Sequence, residues 1–585
     1  MDRTWNLEAL YSGYETTAFK EAVATLESFV EKADRFKDTL DSLENADKKL
    51  LEYINLASEL RSRFLKVYAF VNLNLATNAK DEASNAWMNH LQKLSSKTTA
   101  FTTKVAKFVP RINDLDELIA QHDALKPYAF HLKSIKDRAR YVLSDKEEML
   151  IAKLSQTGSS AWGRLQGLLT SVVEVPYEDK VLTLPQVRNL AHAKDPEVRK
   201  KAYEAELAAY KQIDESIAFA LNGVKGEVLE VSQLRGYESP LHEAVYNARM
   251  QKDTLDALIT SMRKHVPLFQ KYLRRKAELL GHKNGLPWYD LFAPLGESER
   301  TFTPDEAVDY IEKNFQSFGD DLARLARRAH NESWIDYTPR SGKRGGAFCM
   351  NLHPIKQSRI LMNFDGSFSN VITLAHELGH AYHGDRIFKE AILNASYTMP
   401  VAETASTLCE TIVKKAAVKE AEGDEKLFIL EQSLMGSTQV IIDILSRYLF
   451  EESVFEERQK TPLSVKRLNT LMLEAQKATY GDALNQDTLH PYMWANKGHY
   501  YSGTLSFYNF PYAYGLLFAK GIYAKFQEHG KPFAEKIDLL LQKTGQMSIE
   551  DVAALVDIDV RDVSFWDQSL AVIGEEIETF LAITA

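Results

Sequence analysis

From about Thr17 to Val109 apolar residues recur every three to four positions among Lys, Glu and other polar residues, with almost no Gly or Pro. That spacing puts them on one face of a helix and predicts a run of long amphipathic helices. Pro110 and the Asn113-Asp114 pair break the run. Helical patterning then continues to about Ser171. The stretch SVVEVPYEDKVLTL has β-branched runs on either side of Tyr177-Glu178-Asp179, which predicts a hairpin. After Pro185 the helical pattern resumes. Asp195-Pro196-Glu197 reads as a helix start, because proline is tolerated where the backbone N–H has no helical partner. Gly236–Pro240 and Gly281–Pro287 punctuate the middle of the chain. Between Tyr337 and Gly366 the order PRSGKRGGAF, SRILMNF, Asp365-Gly366 reads as loop, strand and turn. A helix-like segment, NVITLAHELGHAYH, follows directly. The expected fold class is mainly α, with a small β-sheet beside that helix.

The chain has 585 residues, 45% hydrophobic and 26% charged, enough material for large cores. Its net charge is −10, with both signs interspersed. That argues against a nucleic-acid or membrane-surface partner. Two cysteines, Cys349 and Cys409, make no disulfide framework and are expected as structural thiols. The N-terminal stretch lacks the basic and apolar regions of a leader, and no uninterrupted apolar run approaches the ~18 residues of a membrane span. The expected setting is cytoplasmic. Oligomeric state is left open.

Within the helix-like segment, His376 and His380 are four residues apart and fall on one helical face. One ion can bind both imidazoles, and Glu377 can reach a water on that ion. Two neutral nitrogens with an adjacent carboxylate suit the Zn²⁺ site of a metalloprotease. A catalytic zinc site usually has three protein ligands. The three-histidine extension of this motif requires Gly at 383 and His at 386, but the chain has His383 and Arg386. His383 is expected behind the ligands or at the surface. Glu390 comes before the chain has room to turn back. In PVAETASTLCETIVKK, Glu403, Thr407 and Glu410 share a helical face, and small Ala402, Ala405 and Ser406 permit close packing. Glu403 is favoured as third ligand, with Glu410 orienting a ligand from outside. Spacing alone leaves open that Glu403 is a solvated helix residue.

From Tyr492 the chain is dense in tyrosine: YMWANKGHYYSGTLSFYNFPYAYGLLF. Tyrosine hydroxyls or a histidine N–H can stabilise the oxyanion of peptide hydrolysis. The alternative is an aromatic core whose hydroxyls reach water or backbone.

Together these residues resemble the oligoendopeptidase F family and, more distantly, thimet oligopeptidase. The resemblance covers nearly the whole chain: WNLEALY, GKRGGAF, SRILMNF, TLAHELGHAYH, VAETAST and the His499–Gly515 segment. It implies a large helical zincin-like metallopeptidase, two halves of which flank a deep central channel with the zinc helix at its floor. The implied parts are a helical region 1–110, a helical region with hairpin 111–190, and a catalytic domain 191–585. One Zn²⁺ per chain would be held by His376, His380 and Glu403, with Glu377 as general base. The resemblance also assigns His499 and tyrosines to substrate binding and the oxyanion. Those roles fall on Tyr508 and Tyr512, with Tyr501 and Tyr514 as possible substitutes. The implied activity is endoproteolysis of short unfolded peptides. The strand Ser358–Asn363, with Gly345, Gly346 and Ala347, is expected as an exposed edge that aligns them. A dipeptidyl carboxypeptidase and a non-catalytic zinc-stabilised peptide-binding protein are the rival readings.

Overall fold

The computed structural model describes residues 3–585; the first two positions of the expected 1–110 region lie outside the described residues. Helices dominate and the sheets are small. Near the N-terminus, helix Thr17–Phe36 is capped by the Thr16 side chain, which accepts from the Phe19 N–H. It buries Phe19, Val23, Leu26, Val30 and Ala33, the three-to-four spacing of an amphipathic face. The helix start at Asp195 is present as Pro196–Tyr210, whose cap Asp195 accepts from the Glu197 N–H. The expected hairpin is present too: β1 (Glu174–Tyr177) pairs antiparallel with β2 (Lys180–Thr183).

A second sheet contains β3 (Ile335–Asp336), β4 (Phe348–Leu352) and β5 (Gln357–Leu361), in the order β3-β5-β4. This corrects the expectation for Ser358–Asn363. That segment is strand only as far as Leu361, and β5 is the central strand, parallel to β3 and antiparallel to β4. Its backbone is paired on both sides, so the open edge belongs to β4, which lies between the expected loop and strand and was not expected as a strand. Cys349 and Asn351 break the apolar run of β4, and a strand's partner is not visible locally.

Successive β5 residues face opposite cores. Leu361, with Leu352 of β4, packs into an apolar cluster built from residues of the N-terminal helices, including Val67, Phe70 and Leu73. Ile360 and the following Met362 face the main cluster instead. A third cluster joins Val173–Leu221 residues to Phe450–Tyr501 residues.

Helix Phe368–Ile387 carries the H-E-x-x-H motif; Ser367 caps it by accepting from the Asn370 N–H. It packs on helix Thr404–Glu420. At Gly379 a Cβ would stand 2.5 Å from Ser406 Cα, so glycine is what lets these backbones meet. Gly423–Arg458 is one helical stretch interrupted by a π turn at Gln439–Asp443. Among the described residues it is the one helix long and apolar enough to cross a membrane, but 61% of its apolar window is buried inside the molecule.

Candidate active site

Three elements bring His376, His380 and Glu403 together. The imidazoles project from one face of the motif helix, their Nε2 atoms 3.1 Å apart. Glu403, at the start of the second helix, places Oε2 3.2 Å from His376 Nε2 and 3.3 Å from His380 Nε2. A third contact sets this approach: a Cβ on Gly515, in helix Phe510–His529, would lie 3.2 Å from Glu403 Cβ.

The donor set fits a tetrahedral metal. Ligands about 2.0–2.1 Å from Zn²⁺ lie about 3.3–3.4 Å apart, and these three atoms form nearly that triangle. Their surroundings aim them inward. Glu410 Oε1 lies 2.8 Å from His376 Nδ1, which puts the proton there and leaves the Nε2 lone pair for an ion. Lys414 donates to Glu410 Oε2 at 2.7 Å, and Ser406 Oγ donates to Glu403 Oε2 at 2.8 Å. Asn351 of β4 donates to the His380 carbonyl at 3.1 Å. Burial raises the Glu410 carboxyl, but Lys414 and His376 outweigh it and hold it at about 2. Burial alone would lower the His376 imidazole, yet the two carboxylates lift it to about 10. The pocket thus stabilises positive charge at its centre.

Glu377 is 6% exposed, and its Oε2 has no hydrogen-bond partner among the described residues. Burial pushes its carboxyl above the usual range. It lines, with Ala347, Phe368, Ile372, His376 and Gln432, a cavity of about 410 Å³.

Tyr508 and Tyr512 share a hydroxyl–hydroxyl hydrogen bond of 2.6 Å. Burial, then the Tyr508 hydroxyl and the Glu403 charge, push the Tyr512 hydroxyl up, so it remains a donor. Phe507, at φ 51°, turns the chain into this position. Tyr508 also lines a cavity of about 350 Å³ with Tyr397, Met399 and Pro400. His499 stands beside Tyr508, ring centroids 5.5 Å apart, and receives a 2.8 Å hydrogen bond from Asn509. Burial lowers its imidazole to about 3. Tyr501 and Tyr514 lie elsewhere. The Tyr501 hydroxyl donates to the Trp494 carbonyl at 3.3 Å, and Tyr514 packs between Phe518 and Trp566 in the core. Neither is available as the substitute that the sequence left open.

His383 is fully buried, 2.8 Å from Thr544 Oγ1 and stacked on Tyr397 at 4.1 Å. Glu390 is bound to Lys543 and Gln542, away from the ligand group. Cys349 and Cys409 are free thiols. Sequence reasoning missed Asn351, Ser406 and Tyr397. Asn351 and Tyr397 work through contacts distant in the chain, to the His380 carbonyl and the His383 ring; Ser406, read only as a small packing residue, also donates to Glu403 three residues before it.

A family profile described as Peptidase family M3 matches residues 189–568. The chain belongs to peptidase family M3. A second profile, described as Oligopeptidase F, matches residues 112–174 of the M3 peptidase. Oligopeptidase PepF of Bacillus subtilis is 25% identical over 573 residues, spanning 95% of this chain and 83% of that protein. Group B oligopeptidase PepB of Streptococcus agalactiae is 25% identical, spanning 99% of this chain and 97% of its own length. Among solved structures, oligoendopeptidase-F from Enterococcus faecium superposes with a TM-score of 0.71 at 18% identity, covering 97% of this chain and 98% of its own. A Chlamydophila abortus protein described as a candidate peptidase superposes at 0.88 with 22% identity, covering 100% of this chain and 98% of its own. The mainly helical architecture and the resemblance read from the sequence are both borne out. The M3 peptidase is a metalloendopeptidase of the oligoendopeptidase F kind, acting on oligopeptides.

Proposed function

We propose that this M3 peptidase is a zinc-dependent cytoplasmic endopeptidase that cuts internal bonds of short unfolded peptides, with one Zn²⁺ per chain held by His376, His380 and Glu403. The observation that carries the reading is the triangle of donor atoms, 3.1–3.3 Å on a side, with the unpartnered Glu377 carboxylate on the same helix. Bound there, zinc supplies a Lewis acid that polarises the scissile carbonyl and lowers the pKa of water.

The chain's own residues do the rest. Glu377 takes a proton from the attacking water and passes it to the leaving amine. Both transfers go through the same carboxylate, which takes the proton as base and returns it as acid. Tyr508, Tyr512 and His499 are the groups read as donors to the carbonyl oxygen as it gains charge; of the hydrogen-bonded tyrosine pair, the hydroxyl that accepts keeps its own proton for that oxygen. The free edge of β4 pairs with an extended peptide beside the Glu377 cavity. Extended backbone can pair with that edge, and a folded substrate's paired backbone cannot.

Chelation should abolish cleavage of an internally quenched peptide, and stoichiometric zinc should restore it. Glu377→Gln should retain one zinc per chain by metal analysis while turnover falls about 10²–10⁴-fold. Near wild-type turnover of that variant would remove Glu377 from the mechanism.

A further inference from the structure

The hydrogen bonds behind His499 have only one possible direction. Asp443 and Arg447 lie on the helical stretch Gly423–Arg458, at and just after its π turn, and form an ion pair. Single π turns recur at functional sites, because they re-aim the residues that follow. Arg447 Nη1 donates to Asn509 Oδ1 at 3.2 Å. Guanidinium carries no acceptor, so the Asn509 amide has its oxygen toward Arg447 and its NH₂ toward His499. Asn509 Nδ2 lies 2.8 Å from His499 Nε2. A donor on that side requires a lone pair on Nε2, and the ring's proton is then on Nδ1. Nδ1 has no partner among the described residues. Asn509 also ties this ring to the tyrosines, since its carbonyl accepts the Tyr512 N–H at 3.1 Å.

We propose that Asn509, locked by Arg447 and Asp443, is a positioning residue that holds His499 in its Nδ1-protonated neutral form and so presents that N–H to the substrate carbonyl. The inference rests on reading His499 as a substrate-facing donor. The charged and titratable groups around the ring favour the neutral form. Arg447 and Lys497 face it, and Lys225 approaches from helix Asp214–Leu234. Of the acids on the neighbouring helical stretch, Asp443 and Glu451 are engaged with Arg447 and Lys225. Tyr500 and Tyr508 complete the surroundings.

The test compares Asn509→Asp with Asn509→Leu, each checked for zinc content and melting temperature. The carboxylate introduced by the first keeps Arg447 but accepts a hydrogen bond from Nε2–H, so the neutral ring carries its single proton on Nε2 and Nδ1 is left bare. Turnover of a quenched peptide should fall about 10²-fold above pH 8, in kcat rather than KM. It should recover toward wild type as the pH drops and the imidazolium regains its Nδ1 proton. Asn509→Leu should lose activity without acid recovery. Parallel pH profiles for both variants would overturn the proposal. Long-range ¹H–¹⁵N spectra of histidine-labelled zinc enzyme, with the His499 signal assigned from His499→Ala, read the tautomer directly; protonation on Nε2 would also overturn it. Wild-type turnover by His499→Ala would instead remove the catalytic reading of His499 and leave the tautomer to the spectra.

Discussion

Glu410 illustrates what a single residue contributes without touching the centre of the site. Its hydrogen bond selects the His376 tautomer, and Lys414 keeps it ionised. Glu410→Gln should leave the fold intact and weaken zinc binding about 10–100-fold, measured by chelator competition. The position was legible, because seven residues after Glu403 is nearly two helical turns. The tyrosines were less so. Tyr501, Tyr508, Tyr512 and Tyr514 all fall within 15 residues of His499, yet the hydroxyls of Tyr501 and Tyr514 end in the packed interior. Tyr512 and Tyr514 lie about 200° apart around helix Phe510–His529, and only the packing of that helix decides that the Tyr514 face is the buried one.

Among the elements, the crossing of the motif helix with Thr404–Glu420 governs the metal group. Gly379→Ala would place a methyl 2.5 Å from Ser406 Cα and 2.6 Å from the Ala405 carbonyl, both backbone atoms that cannot rotate away. Separating the helices moves Glu403 from the imidazoles. The variant should lose about 1–3 kcal/mol of stability, and zinc should raise its melting temperature less than it raises that of the wild type. Helices of this kind are readable because their 3.6-residue period is local. The edge strand β4 was not, because its pairing with β5 and its contacts to the motif helix join separate segments.

For the whole molecule, the sheet beside the site belongs to two cores. Leu352 and Leu361 are fully buried against the N-terminal helices. Exposing them costs about 1.5–3 kcal/mol each. The fragment 191–585 should therefore fail to form a stable active monomer when expressed alone, as judged by size-exclusion chromatography and circular dichroism. Acid should also destabilise the full protein. Burial holds the folded His383 imidazole at about 3, against about 6.5 when unfolded. Between those values the unfolded chain binds the extra proton, so stability falls as pH is lowered through the window. The slope approaches about 1.4 kcal/mol per pH unit for one such group. In chelated protein, denaturant midpoints of His383→Gln should show a shallower pH slope than wild type.

The sequence by itself determined the features that repeat over one or two helical turns. These are the helical class, the shared face of His376 and His380, the placement of Glu377 and the motifs that carry the family resemblance. Only the tertiary structure decided how Glu403 closes on the imidazoles through Gly379, Ser406 and Gly515. It also decided that β4 is the open edge, and that Arg447 and Asn509 orient His499. The reason is physical. Local periodicity follows from backbone geometry, whereas these arrangements depend on how separate elements pack, as where Arg447 reaches Asn509 from 62 residues away.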